Sequence, residues 1–396
     1  MKIYSPSLFI EIDNSEYIFT VGDIDEKENF NLIYEHKVLL RGIENFKITS
    51  LDLILKDVRT NIYLIEQKLN FTFKETVLII NNFSRYFINF TGFKKLNGSQ
   101  ILKENITYIL NSLKSNVNKI EDKKKLIHIF NSSFCLDKKN TENLPIGLFG
   151  DFYSHELSFC LINKNDYKNL KNIIENCNLK IKKILFKSFA VGSYLSNIKE
   201  NNDTFIHIKI NNNNSQVFSF ENNSLKFEQN FSFGFDQVIK DISKITFLKE
   251  DVVKNIISSG KLSEQTSRND LIEKKFFVNE NYRNIKKKTI YDIAEARIEE
   301  LLEIILIKNI NLSKHKQKVF FININNKQHL ECFKNSYISI FLKNSLPTPK
   351  LIENIVAKDF IKNVHNLVSF GWKREAIPVT HEKKTSIARL FDVLFD

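Results

Sequence analysis

The chain has 396 residues, 42% apolar and 26% charged, with four cysteines and a formal net charge of +12. That length and balance suit a folded protein of two or more domains with real cores. The lysines are spread along the chain with acids between them, so nucleic acid is not expected as a partner. Only Glu121–His128 and Arg283–Lys288 are locally basic.

The first residues, MKIYSPSLFIEIDNSE, meet an acid after three apolar positions and do not read as a signal peptide. No later run approaches the ~20 apolar residues of a membrane span. Cys135, Cys160, Cys177 and Cys332 show no C-x-x-C pair and no regular spacing with the histidines. This argues for reduced thiols in a cytoplasm and against disulfides or structural zinc. Lys and Asn are so common that no single one carries much weight.

In chain order, SLFIEIDNSEYIFTVGDI (Ser7–Ile24) predicts two strands and a turn. A third strand follows, FNLIYEHKVLL, then an amphipathic helix near Ser50–Leu69. Asn82–Asn163 breaks the rhythm with a helix over 97–117, strands over 125–136 and 154–163, and an irregular loop, Asp137–Asp151. Within that loop LPIGLFGD holds two of the ten glycines. Strand, loop and strand return at FIHIKINNNNSQVFSFENN (Phe205–Asn223), running into LKFEQNFSFGFDQVIKDISKITF. A weaker third copy is KVFFININNKQHLECFKNSYI (Lys318–Ile338). The repetition predicts a duplicated α/β core carrying a small inserted α+β domain. His128, His155 and His207 lie among apolar residues and read as ordinary strand histidines.

Four stretches, in order, resemble the actin-like FtsA family of bacterial cell division. They are NLPIGLFGDFYSHELSFCLI, NLKNIIENCNLKIKKILFKSFAVGSYLS, FSFGFDQVIKDISKITFLKEDVVKNIISSG and IYDIAEARIEELLEII. The resemblance implies an α/β actin-like two-lobed fold, built from duplicated ribonuclease-H-like cores. It places lobe one in 1–82 and 164–200, the inserted subdomain in 83–163 and lobe two in 201–365. A linker over 366–384 and a terminal helix over 385–396 complete the chain.

The family's ATP motifs are altered together. Lys209–Gln216 falls on D-I-G-G-G-T-T-D, with Asn211, Asn212 and Asn213 for the glycines and Asn214, Ser215 and Gln216 for T-T-D. Asn tolerates positive φ, so the turn is expected to survive while its side chains crowd a phosphate. Lys209, in place of the acid, is a candidate to supply a cation. IEIDNSEY falls on L-D-I-G-T-S-K-V, where Glu11, Asp13 and Glu16 add acids that repel an anion. Ile324, Asn325 and Asn326 stand for a third glycine loop, and of a G-G-D turn Gly234 and Asp236 remain around Phe235. The implied degenerate cleft comprises Asn14, Ser15, Asn211, Asn212, Asn213, Asn214, Ser215, Gly234 and Asp236. It reads as relaxed demand for nucleotide, the alternative being an unusual ATP site.

Near the end, Ile387, Leu390, Phe391, Leu394 and Phe395 form one helical face behind an N-cap at Thr385 or Ser386. In the family such a helix anchors the protein to the membrane surface. Docking on a partner or on the chain itself are the alternatives. The function implied is a non-catalytic adaptor on the cytoplasmic face of the inner membrane at the division site. It would bind the FtsZ C-terminal peptide through Leu248–Asn309 or adjacent surface, self-associate into filaments and recruit later division proteins. The alternatives are an actin-like ATPase or small-molecule kinase, and a type IV pilus assembly scaffold.

Overall fold

The computed structural model describes residues 6–378 apart from 14, 26–28, 45–46, 82, 199–202, 261, 263–268, 278–280 and 313–318. The chain divides into two units: residues 1–203, 220–227 and 355–396, and residues 204–219 and 228–354.

In the first unit β1 (Ser7–Ile12), β2 (Glu16–Ile24) and β3 (Phe30–Leu39) form an antiparallel ladder. A short ribbon, β4 (Ile43–Glu44) with β5 (Lys47–Ile48), leads to α1 (Leu51–Leu69). The Ser50 side chain accepts from the Leu53 amide at the start of α1, and Asn70 ends it in the left-handed region. Next, β6 (Glu75–Ile80) lies parallel to β1. The inserted segment contributes β7 (Arg85–Lys95), α2 (Lys103–Ile120), β8 (Lys124–Leu136), β9 (Lys139–Thr141) and β10 (Phe152–Asn163). After α3 (Lys164–Glu175), β11 (Lys180–Phe186) pairs parallel with β6, and α4 (Lys187–Ile198) follows directly. The resulting sheet order is β11-β6-β1-β2-β3.

β12 (Phe205–Ile210), β13 (Ser215–Glu221) and β14 (Ser224–Phe231) open the second copy. Residues 220–227 of these strands count with the first unit. Helices α5 (Asp236–Thr246), α6 (Glu250–Ser258) and α7 (Lys287–Leu302) precede β15 (Val319–Ile324), α8 (Lys327–Lys343) and β16 (Lys350–Ile352). The sheet runs β14-β13-β12-β15-β16, with β12, β15 and β16 parallel. Its order repeats that of the first sheet, so the duplication expected from the sequence is present. Both central strands are largely buried on both faces, with Glu11 in β1 and His207 and Lys209 in β12 on the less apolar one.

The chain then rejoins the first unit through α9 (Ala357–Ser369) and β17 (Glu375–Pro378). Here the structure departs from the expected linker over 366–384. Residues 366–369 are helix, Trp372 is 6% exposed and donates its indole N–H to Asn223 O, and β17 pairs with β8. Gly371, with φ at 76°, marks the tight connection between α9 and β17. The apolar face of α9, with Phe360, Ile361, Val364 and Leu367, is buried. Its Asn363 amide donates to Ala190 O and Ser193 Oγ of α4, which ties 357–369 to the first unit and not to 201–365. Strand β7 is the other difference, an eleven-residue strand where only the start of an insertion was expected.

Candidate functional site

In open α/β sheets, ligands bind beyond the carboxyl ends of the parallel strands. In the first unit those ends are Ile12, Ile80 and Phe186, and the next residues are Asp13, Asn81 and Lys187. These three side chains meet. The Lys187 ammonium lies 2.5 Å from Glu11 Oε1 and 2.6 Å from Asp13 Oδ2, and the Asn81 amide donates to Asp13 Oδ1 at 2.7 Å. Lys187 is 19% exposed and Glu11 6%. Burial alone would lower the Lys187 pKa, but Glu11 and then Asp13 outweigh it and hold the ammonium above its ordinary value. The added acids are therefore not a bare repulsive pair: the chain neutralises them with its own cation.

In the second unit Asn211–Asn214 joins β12 to β13. The Asn211 amide N–H donates to Asn214 O at 2.9 Å, and the two side chains hydrogen-bond as well. None of Asn211–Asn214 has positive φ. The expected left-handed turn is absent because the loop closes on itself with ordinary backbone angles. The turn is also pressed against the start of α5. The Phe235 N–H donates to Asn211 O at 3.0 Å and the Asp236 N–H to Asn212 O at 2.7 Å. A Cβ on Gly234 would stand 2.3 Å from Asn211 O and 2.6 Å from Asn212 O, so only glycine permits this approach. Next to it, Phe235 stacks on His329 with ring centroids 3.8 Å apart and planes at 18°. Phe333 and Tyr291 continue the column. Burial lowers the His329 pKa to about 4, so the ring is neutral at pH 7.

Of the residues expected to line a nucleotide cleft, Asn14 lies outside the described residues. Ser15 is exposed in the β1–β2 turn, where its carbonyl accepts from the Leu40 N–H. Buried Ser215 donates from Oγ to Phe233 O. Asp236 opens α5. Lys209, the candidate cation, is half-buried within β12 beside Asn323. The cation belongs instead to Lys187, which the motif comparison missed. One signal pointed to it: a lysine directly after the apolar run Ile184–Phe186, at a strand's carboxyl end. Among the described residues, the groups at both sheet ends are engaged with one another. The amides at the start of α5 are spent on carbonyls of the asparagine turn, and the carboxyl ends of the first sheet carry a closed ion cluster. Ile387, Leu390, Phe391, Leu394 and Phe395 lie outside the described residues.

The strand histidines differ from one another. Buried His128 is 3.0 Å from Glu375 Oε1, and Lys183 Nζ is 2.7 Å from Glu375 Oε2. Burial would raise the Glu375 pKa, but Lys183 and then His128 hold it down at about 2. The network fixes β17 to β8 and β11, and because burial lowers the His128 pKa, the ring serves there as a structural hydrogen-bond partner of Glu375. The His155 ring bonds Asn131, whereas neither ring nitrogen of His207 has a hydrogen-bond partner among the described residues and burial takes its pKa to about 3. Among the described residues no three His, Cys, Asp or Glu side chains converge on a metal position, and no helix is long and apolar enough to cross a membrane.

No family model matches the chain. Cell division protein FtsA of Buchnera aphidicola subsp. Baizongia pistaciae is 23% identical over 399 residues, covering 94% of this chain and 93% of its own length. FtsA of Buchnera aphidicola subsp. Schizaphis graminum is 22% identical over 300 residues, 75% of this chain and 71% of its own. Among solved structures, a chain of the PilM-PilN type IV pilus biogenesis complex aligns with a TM-score of 0.53 and 8% identity, over 88% of each chain. That likeness concerns the fold alone. The resemblance expected from four motifs thus holds along nearly the whole chain, and the duplicated core is the actin-like fold.

Proposed function

We propose that this chain, a relative of the FtsA cell division proteins, serves division as a non-catalytic adaptor that binds no nucleotide. The observation that carries this reading is the ion cluster of Lys187 with Glu11 and Asp13. An ammonium between two carboxylates supplies the charge balance that a bound cation would otherwise provide, and it leaves no free carboxylate there to act as a base. The self-closed asparagine turn and the Phe235–His329 stack support the same reading. As an adaptor the chain would join the FtsZ C-terminal peptide to the membrane surface through residues 385–396, assemble with copies of itself, and recruit later division proteins. The pilus-scaffold alternative has only the fold in its favour.

The test is calorimetry of the full chain with ATP and magnesium, alongside titration with an FtsZ C-terminal peptide. Peptide binding with no heat at millimolar ATP is the expected outcome. Micromolar ATP binding would overturn the non-nucleotide reading, and an inert peptide would overturn the adaptor.

A further inference from the structure

The inserted subdomain has a groove of about 270 Å3 between α2 and β7, lined by Phe90, Leu113, Asn116, Lys119 and Ile120. Ile120 is 65% exposed at the end of α2. We infer that this groove seats the chain's own residues 385–396, holding their apolar stripe away from lipid until it is released. The inference rests on the adaptor reading for its purpose but not for its geometry.

Three observations select this occupant. The first is where the described chain leaves the subdomain. Phe90, Leu113 and Ala376 of β17 pack on one apolar cluster with Val117, Leu157 and Phe159, so β17 and the groove share a face of the sheet. β17 runs antiparallel to β8, with Ile377 beside Ile129 and Pro378 beside His128. It therefore heads toward Lys124, the end of the sheet where α2 stops at Ile120. The Glu375–Lys183–His128 network holds that exit in place.

The second is reach. In the order β17-β8-β10-β7 the groove lies three strand spacings from the exit, about 14 Å. Residues 379–384 span up to about 20 Å when extended. Rounding the end of α2 adds the run from the level of His128 to Lys124, about 13 Å, so the diagonal path is about 19 Å and extended residues 379–384 just bring Ile387, Leu390, Phe391, Leu394 and Phe395 to Phe90, Leu113 and Ile120.

The third is charge. Residues 385–396 carry Arg389 against Asp392 and Asp396. Their acidic balance works against an anionic lipid surface. It suits a groove lined by Lys119. A short amphipathic helix in an apolar groove with complementary rim charge is a recurring mode of recognition.

Cysteine pairing tests the seat on the full chain. Cys135 and Cys177 are replaced by Ser, and Asn116→Cys is combined in turn with a cysteine at each of positions 388–393. Intramolecular disulfides that recur with helical spacing and persist on dilution are expected. Their absence, or bonds that form only between chains, would overturn the inference. In parallel, Ile120→Glu spoils the groove at an exposed position that leaves the fold intact. Sedimentation with vesicles of phosphatidylglycerol and phosphatidylethanolamine should show about tenfold tighter binding, since releasing a sequestered state raises apparent affinity by the inverse of the competent fraction. Unchanged vesicle binding would overturn the inference. If neither parent nor variant binds vesicles, the membrane reading falls and the cysteine pairing alone decides the groove.

Discussion

The two units are built on one plan and finished with different chemistry. Each sheet places its first strand between a sequential strand and a parallel one, and each closes its carboxyl end with the same bond. The Asn81 N–H donates to Ile12 O at 2.9 Å in the first unit, and the Asn325 N–H to Ile210 O at 3.2 Å in the second. Beyond that bond the first unit is ionic, with Lys187 between Glu11 and Asp13. The second closes through an amide turn and an aromatic stack. An actin-like scaffold therefore tolerates either filling where the sheets end. The two fillings have different vulnerabilities. An ion cluster fails when one charge is removed, whereas a packed turn fails when its volume changes.

The largest effect should come from the ionic side. Lys187→Met leaves two carboxylates without their cation and should cost about 3–5 kcal/mol in a urea titration at pH 7, the usual result of removing one partner of a buried pair. Because its pKa is raised, Lys187 contributes in full below the ordinary lysine value of 10.5, and that contribution is lost as pH rises from there through the raised value. Adding Glu11→Gln and Asp13→Asn to Lys187→Met should recover most of the loss. A triple variant as unstable as the single one would show that the lysine stem, not its charge, fills the site.

The next effect separates the units by pH. His329 titrates near 4 in the folded chain against an ordinary 6.5, so the unfolded chain binds the proton first. Stability from this site is therefore complete above pH 6.5 and is lost as pH falls toward 4. The total loss is about 3 kcal/mol at 1.36 kcal/mol per pH unit. His329→Phe keeps a ring against Phe235 and removes the titration. It should change stability little at pH 7 and exceed the parent by about 2.5 kcal/mol at pH 4.5. Parallel acid curves for parent and variant would place the acid sensitivity elsewhere, with His207 the next group to test.

Much of this was legible in the sequence, though unevenly. Apolar runs and their spacing located the strands of both cores and the helix after Ser50, because burial forces those patterns. The order of the duplicated pieces followed from repetition. What stayed hidden was pairing at long range. Nothing near Lys187 in the chain names Glu11 or Asp13 as its partners, more than 170 positions away. Residues 366–378 carry a glycine, a proline and charges, the composition of a linker. The buried partners of Glu375 and Trp372 lie on strands and turns read much earlier. The asparagine turn misled in the opposite direction. Tolerance of positive φ by Asn is a permission, and Asn211–Asn214 do not use it. Asn222 and Asn223, in the next turn, do.

Gly234→Ala gives the smallest effect and the most local one. The added methyl meets the carbonyl oxygens of Asn211 and Asn212, which are backbone and cannot swing aside. The turn and the start of α5 must therefore separate, at about 2 kcal/mol. The two hydrogen bonds from Phe235 and Asp236 lie across that gap, so their amides should lose protection from hydrogen exchange. The Asn81 amide, which makes the corresponding sheet-end bond of the first unit, should keep its protection because the steric conflict is confined to the second unit. If Asn81 loses protection as well, the two ends are coupled, and the fillings are parts of one cooperative element instead of independent answers to the same geometry. If Phe235 and Asp236 keep theirs, the turn has room to shift as a body. The glycine would then be inherited from the loop's ancestry and not required by its present packing.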